Sequence, residues 1–411
     1  MKRVIIYGVG NNYKAFSKNA VAVDFEVVAL ADRYKAGNSR DGRTIISPEE
    51  IKGLEYDEVF VTNCWEREKI IAWLQEEIGV PKDVIRDVRY LNERYMIPGI
   101  EQYKYVFFAD YADYINYPYD SLREREDVTI RSVLMMGEEW ECDFEQDSES
   151  YFIFHTFPFK RFYQERFFEY IRKRFPQGKE ILCVSDVCEG GEHSYSQKMK
   201  GFFSIEYVKK QFDMVITYHV AEAEKFGFEY HPYPYRKTDL PETAVDTDVF
   251  YVGNAKDRLD LIHSVFLKLK KAGVKCDFRV NRVDEEDQLK GYEGITYNHR
   301  LTYRECMELM MGCKCILDIC QQNDESALRF AEAVVYNKRL LVNEPSRRTS
   351  PYYNDRYIQF FTDADSIDTD WLKEQPEVDY GYQGDFSVES MLSQIDEFFQ
   401  IKAAESGEED G

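Results

Sequence analysis

Residues 324–344, DESALRFAEAVVYNKRLLVNE, decide the fold. They read as a helix carrying Arg329 and Glu332, then a short turn, then a strand ending at Asn343. Around the two charged residues stand Ala327, Leu328, Phe330, Ala331, Ala333, Val334 and Val335, so the helix is apolar nearly all round and is expected to be buried. Arg329 and Glu332 are three apart and share one side of a helix. A guanidinium fork grips phosphate oxygens, and a carboxylate accepts two ribose hydroxyls. Buried charges are seldom left without partners, which favours a ligand. The bland alternative is an ion pair on an exposed helix face.

The same helix-and-strand alternation extends in both directions. In the first segment, 1–98, the β-branched runs RVIIYGVG, FEVVALAD and YDEVFVTN are separated by polar, helix-length stretches. The second segment, 99–238, contains SYFIFHTF, the amphipathic FKRFYQERFFEYIRKRF, KEILCVSD, FDMVITYH and VAEAEKFGF. After a polar linker, RKTDLPETAVDTD, the third segment, 247–403, opens on DVFYVGN and a long amphipathic helix and closes on SVESMLSQIDEFFQIKAA. Buried strands alternating with helices imply parallel sheets covered on both faces, hence an α/β chain of three Rossmann-like modules. The stretch YKYVFFADYADYINYPY within 99–125 has a mixed period and is expected to pack between domains; a carbohydrate-stacking surface is the alternative. The acidic tail 404–411 is expected to be disordered.

The bulk numbers agree with a folded chain of several domains. There are 411 residues, 44% hydrophobic and 15% aromatic. A net charge of −23 argues against a broad nucleic-acid surface and against electrostatic binding to anionic lipid, though not against a local phosphate pocket. No apolar run is long enough to cross a membrane, and the start MKRVIIYGVG enters a strand rather than a signal peptide. The nine cysteines are scattered without paired Cys-x2-Cys motifs, which reads as reduced core thiols in a cytoplasmic protein.

Ligands of such sheets bind beyond the carboxyl ends of the strands. In the first segment those ends carry Gly8, Gly10 and Asp32, the layout of a nucleotide turn followed by a ribose acceptor. Tyr13 replaces the third glycine of the fingerprint, so the turn without a nucleotide is the competing reading. In the third segment Gly253 and Asn254 lie between a strand and a helix, where backbone N–H groups favour an anion. Lys256 and Arg258 follow in the first turns. Positive residues oppose the helix dipole there, and a bound diphosphate would account for them. Asp318, Gln321 and Asn343 stand at neighbouring strand ends, and His155, Asp186 and His219 at those of the second segment.

Four stretches of the second and third segments carry a resemblance: FDMVITYHVAEAEKFGFEYHPYPY, VFYVGNAKDRLDLIHSVFLKLKKAG, LTYRECMELMMGCKCILDI and SALRFAEAVVYNKRLLVNE. Together they are similar to a GT-B glycosyltransferase of the bacterial lipopolysaccharide and capsule type. The first 98 residues resemble a Rossmann domain appended to polysaccharide-biosynthesis proteins. The resemblance implies that the last two modules form a GT-B pair with a cleft between them. It implies a nucleotide-sugar donor and a glycan or lipid-linked acceptor, with Glu332 on the ribose and Arg329 and Arg258 on the diphosphate. Asp324 and Ser326 precede them, and Asp324 replaces the first Glu of the related E-x7-E motif, which leaves retention or inversion open.

No cofactor or metal is expected, since helix dipoles and basic residues can stabilise the leaving group. The two DTD stretches, 246–248 and 368–370, fall in linker and loop. An inverting reaction needs a base, for which His155, Asp186 and His193 are candidates. Peripheral membrane contact remains compatible with the absence of a transmembrane segment. The rivals are a non-catalytic nucleotide-sugar-binding or scaffold protein and an NAD-dependent oxidoreductase; an incomplete glycine fingerprint and no Tyr-x3-Lys argue against the last.

Overall fold

The computed structural model of the chain describes residues 1–19, 24–108, 117–134, 145–155, 165–184, 204–240, 244–320, 327–374 and 376–409. Among these described residues the strands form three six-stranded sheets. The first is built from β1 (Lys2–Tyr7), β2 (Phe25–Ala31), β3 (Ser39–Arg40), β4 (Arg43–Ile46), β5 (Glu58–Val61) and β6 (Ile85–Arg86), in the order β3-β4-β2-β1-β5-β6. The second holds β7 (Tyr105–Phe108), β8 (Val128–Arg131), β9 (Tyr151–His155), β10 (Lys179–Val184), β11 (Met214–Thr217) and β12 (Glu229–Tyr230), in the order β12-β11-β10-β9-β7-β8. The third holds β13 (Thr247–Asn254), β14 (Cys276–Asn281), β15 (Ile295–Tyr297), β16 (Cys313–Asp318), β17 (Arg339–Val342) and β18 (Ile358–Phe360), in the order β15-β14-β13-β16-β17-β18. Every described pairing in the third sheet is parallel. The α/β class and the three Rossmann-like modules are thus present.

The chain divides into two compact units, the first holding the first two sheets and the second the third sheet, with Tyr218–Ala223 and the chain from Tyr230 onward. One hydrophobic core runs through the first unit, from Val4, Phe16 and Phe60 to Phe108, Phe154 and Phe212. Tyr95 covers the first-sheet end of this core, meeting the rings of Phe16, Phe25 and Phe60 at centroid distances of 5.9, 5.2 and 5.7 Å. Buried Asn92 adds a polar clamp, donating to Leu134 O at 2.9 Å and accepting from Leu134 N at 2.8 Å.

Local sequence explains the elements of the second unit. The helix Leu259–Lys271 buries Ile262, Val265, Phe266 and Leu269, one stripe of a 3.6-residue period, and carries three lysines in its last turn where the helix dipole favours them. The helix Tyr303–Met311 starts at a capping box, with Glu305 N donating to Thr302 Oγ1 and Thr302 N to Glu305 Oε2. Cys313, Cys315 and Cys320 are buried thiols. Of the two DTD stretches, Asp246 and Asp248 form ion pairs with Lys275 and Lys314, and Asp368 caps the helix Thr369–Lys373.

Three placements differ from the sequence reading. The aromatic stretch contributes a strand: Tyr105–Phe108 is β7, inside the second sheet and buried at all four positions. Its side chains meet apolar neighbours on both faces, which removes the alternation that would have marked it. The segment after Tyr230, read as the end of the second module, belongs with the third sheet. There Tyr235 N donates to Phe386 O and Thr238 N to the Tyr336 hydroxyl, both at 2.7 Å. The last helix, Val388–Glu409, continues into the segment expected to be disordered, because KAAESGEE is rich in helix formers.

Candidate donor site in the second unit

The third sheet reverses its strand order between β13 and β16, and the crevice beyond the carboxyl ends at such a reversal is where these sheets hold ligands. β13 ends at Gly253 and Asn254. A short 3-10 turn, Lys256–Arg258, then precedes the long helix, with Lys256 in the left-handed region at φ 47°. A turn, rather than the helix itself, therefore follows Asn254. Gly253 leaves room for a hydroxyl: a Cβ there would stand 2.7 Å from Tyr251 Oη.

Arg258 lies across the reversal. Its guanidinium donates to Asn254 O at 2.8 Å and to Ile319 O, tying the ends of β13 and β16 together, while its Nε has no partner among the described residues. Arg329, on the helix Ala327–Val335, donates to Glu332. Glu332 is fully buried, so the pair is not the exposed bridge of the bland alternative. Burial opposes the charge of Arg329, but Glu332 outweighs it and holds the guanidinium above its ordinary pKa. Burial likewise raises the Glu332 carboxyl, with Arg329 offsetting part of the rise. Glu332 Oε1 has no hydrogen-bond partner among the described residues.

Asp318, at the end of β16, draws the site together. Its carboxyl is buried and pushed up from 3.8 to about 6 by desolvation, against the opposing pull of Arg347, Arg329 and Arg258. Asp318 Oδ2, the Tyr251 hydroxyl, and Arg347 Nε and Nη2 all lack partners among the described residues. Three guanidiniums act electrostatically on Asp318, one of them also pairs with Glu332, and unused donors remain: the arrangement suits an anion with several oxygens. Asn343, by contrast, is occupied, clamping Cys320 through its N–H at 2.6 Å and its C=O at 3.2 Å.

The buried Asp318 carboxyl gives a stability test. A carboxyl raised in the folded state favours folding in its protonated form, so that contribution is complete below 3.8 and lost as pH rises through about 6. Thermal unfolding of the Asp318→Asn variant is therefore expected to gain on the wild type across that window and to run parallel above it. Parallel curves throughout would show that Asp318 does not titrate there.

The other predicted residues lie elsewhere. Asp324 and Ser326, with Gln321, fall outside the described residues, as do Asp186 and His193. His155 ends β9 in the first unit, where it is buried, stacked on Phe107 at 6.3 Å and 3.4 Å from the Tyr119 hydroxyl. Burial lowers its pKa to about 4, so it is a neutral imidazole at physiological pH. Gly8 and Asp32 follow the neighbouring strands β1 and β2 of the first sheet, whose order reverses between β1 and β5. Gly8 has φ 92°, which only glycine adopts readily, and Asp32 accepts from the N–H groups of Val9, Tyr34 and Lys35 at 2.9, 2.9 and 3.2 Å. Lys35 Nζ closes the turn on Val9 O at 2.5 Å. Both Asp32 oxygens thus serve the turn itself. Gly10 has open space where a Cβ would stand. Tyr13 is buried and donates to Asp41 at 2.6 Å.

Sequence reasoning missed Arg347 and Tyr251. Arg347 sits in a 3-10 turn, Pro345–Thr349, and its guanidinium lies over the Phe330 ring at 5.1 Å. Its only sequence signal was position, just beyond the strand that ends at Asn343.

A family model described as C2185-like, N-terminal, matches residues 1–86. A comparison with curated proteins finds no match. Among solved structures the chain is similar to the T4 phage β-glucosyltransferase in complex with its UDP-glucose substrate, at 13% identity over 91% of this chain and 89% of that one, TM-score 0.30. It is also similar to the DNA-modifying enzyme β-glucosyltransferase studied in the presence and absence of uridine diphosphoglucose, at 12% identity over 91% and 88%, TM-score 0.31. Likenesses of that strength bear neither on the chemistry nor on the fold, and the case for a donor site stands on Arg258, Arg329, Arg347 and Asp318.

Proposed function

We propose that the chain is a glycosyltransferase that takes its sugar from a nucleotide-sugar donor held at the carboxyl edge of the third sheet. The observation that supports it is the set of unused donors at the strand reversal, Arg258 Nε and Arg347 Nε and Nη2, on arginines that with Arg329 act electrostatically on buried Asp318. When the glycosidic bond breaks, the nucleoside diphosphate gains negative charge. Guanidiniums fixed beforehand in a partly buried site stabilise that charge more than they stabilise the intact donor. Such a site needs no metal. The resemblance in sequence extends the reading to a glycan or lipid-linked acceptor in surface polysaccharide synthesis at the cytoplasmic side. Asp186, His193 or His155 is then the base on the acceptor hydroxyl.

A second reading, nucleotide-sugar binding without transfer, is favoured by the enclosure of His155, the one described candidate base, among Phe107 and Tyr119. Calorimetric titration of nucleoside diphosphates and nucleotide sugars, followed by an assay of diphosphate release with glycan acceptors, separates the two. Binding with release supports a transferase. Binding without release leaves the binding protein. No binding overturns both.

A further inference from the structure

The second unit contains a cavity of about 570 Å³ bordered by Tyr218, Tyr233, Tyr352, Phe330 and Phe386. That volume is within the range of roughly 300–1,000 Å³ usual for small-molecule sites. Its rings do not form a parallel slot: Tyr218 and Tyr233 cross at 70°, Tyr352 and Phe386 at 73°. Neither of these contacting pairs offers two parallel faces. A puckered ring, with C–H groups on one side and hydroxyls around its edge, fits a cup of tilted aromatic faces.

The polar lining points the same way. His231 is buried in the wall, and its Nδ1 stands 2.5 Å from Pro232 O. A carbonyl only accepts, so Nδ1 carries the proton and Nε2 is left with a lone pair. That Nε2 has no partner among the described residues. Burial lowers the pKa of His231 to about 4, so the ring stays neutral and Nε2 stays an acceptor. Asp385, which accepts from the Tyr352 hydroxyl, and Glu397 add further acceptors. Of these only His231 Nε2 is buried without a donor, which is costly, and a ligand O–H group removes that cost, while half-buried Asp385 and exposed Glu397 stand at the rim. Arg347 borders the cavity and also acts on Asp318, so the cavity adjoins the proposed anion site.

We propose that this cavity is a saccharide subsite, in which His231 Nε2 and the Asp385 carboxylate accept hydroxyl hydrogens while Tyr233 and Phe386 meet the C–H face of the sugar ring. The inference rests on the donor reading only for its place in catalysis; the recognition chemistry stands without it.

The test uses the full chain and a panel of methyl hexosides and disaccharides, read by saturation-transfer NMR and calorimetry, with a nucleoside diphosphate titrated into the same preparations. At least one saccharide is expected to bind the wild type. His231→Phe keeps a ring and removes the acceptor; Asp385→Asn keeps the shape and removes the charge. Each is expected to weaken saccharide binding about tenfold and to leave nucleoside diphosphate affinity within about twofold. A failure of every saccharide to bind the wild type overturns the subsite, as does unchanged saccharide affinity in both folded variants. Saccharide binding without diphosphate binding keeps the subsite and overturns the donor reading; the reverse keeps the donor reading alone.

Discussion

Glu332→Ala is expected to destabilise the protein by about 3–5 kcal/mol, because it leaves the largely enclosed Arg329 guanidinium, 16% exposed, without its nearest counter-charge. Arg329→Ala is expected to cost a similar amount, by stranding a carboxylate that is fully buried. The double variant should then cost well below the sum of the singles, since each single contains the penalty of the other's unpaired charge. Urea unfolding of the four proteins measures this cycle. An exposed i,i+3 pair would give only about 0.2–0.5 kcal/mol and near-additivity, and that result would remove the pair from the interior. The prediction replaces the simpler expectation that losing Glu332 costs only a ribose contact: in this position a lost ligand contact cannot be read before the stability of the variant is known.

Removing Arg347 and Arg258 together should produce the largest effect on ligand affinity. A hydrogen bond to a charged group is worth about 1.5–3 kcal/mol, so each change is expected to weaken nucleoside diphosphate binding about tenfold or more, and both together on the order of a hundredfold. The two are not equivalent. Arg258 also holds the Asn254 and Ile319 carbonyls, so Arg258→Ala should lower the melting temperature as well. Arg347 has donors without partners and should cost affinity with little loss of stability. Calorimetry on folded Arg347→Ala is therefore the cleaner measurement, and wild-type affinity there would sink the anion site as drawn.

The sequence made legible those features that a single chain segment carries by itself. β13 and β16 showed as apolar runs ending in polar residues, and the helix between Asp324 and the NKRLLVN strand showed as buried with charges inside it. Arg329, Glu332 and Arg258 were legible for that reason. β7 was not, because YVFF is buried on every face and sits among tyrosines that carry no period of two. Arg347 was not, because SRRT reads as a solvated turn, and its approach to Asp318 depends on strand order, which lies in no single segment. The aromatic cavity was invisible for the same reason: Tyr218, Tyr352 and Phe386 are separated by more than a hundred residues of chain at their widest.

The Tyr95 contacts have a bearing on modularity. The matched family segment has its border at residue 86. Folding does not respect it, because Phe16, Phe25 and Phe60 are covered by Tyr95 from beyond that border. Cut at 86, the first sheet would keep its sequence signature and present a bare aromatic face to water. Because one continuous core runs from Phe60 to Phe154, the first sheet and the next are expected to rise and fall in stability together.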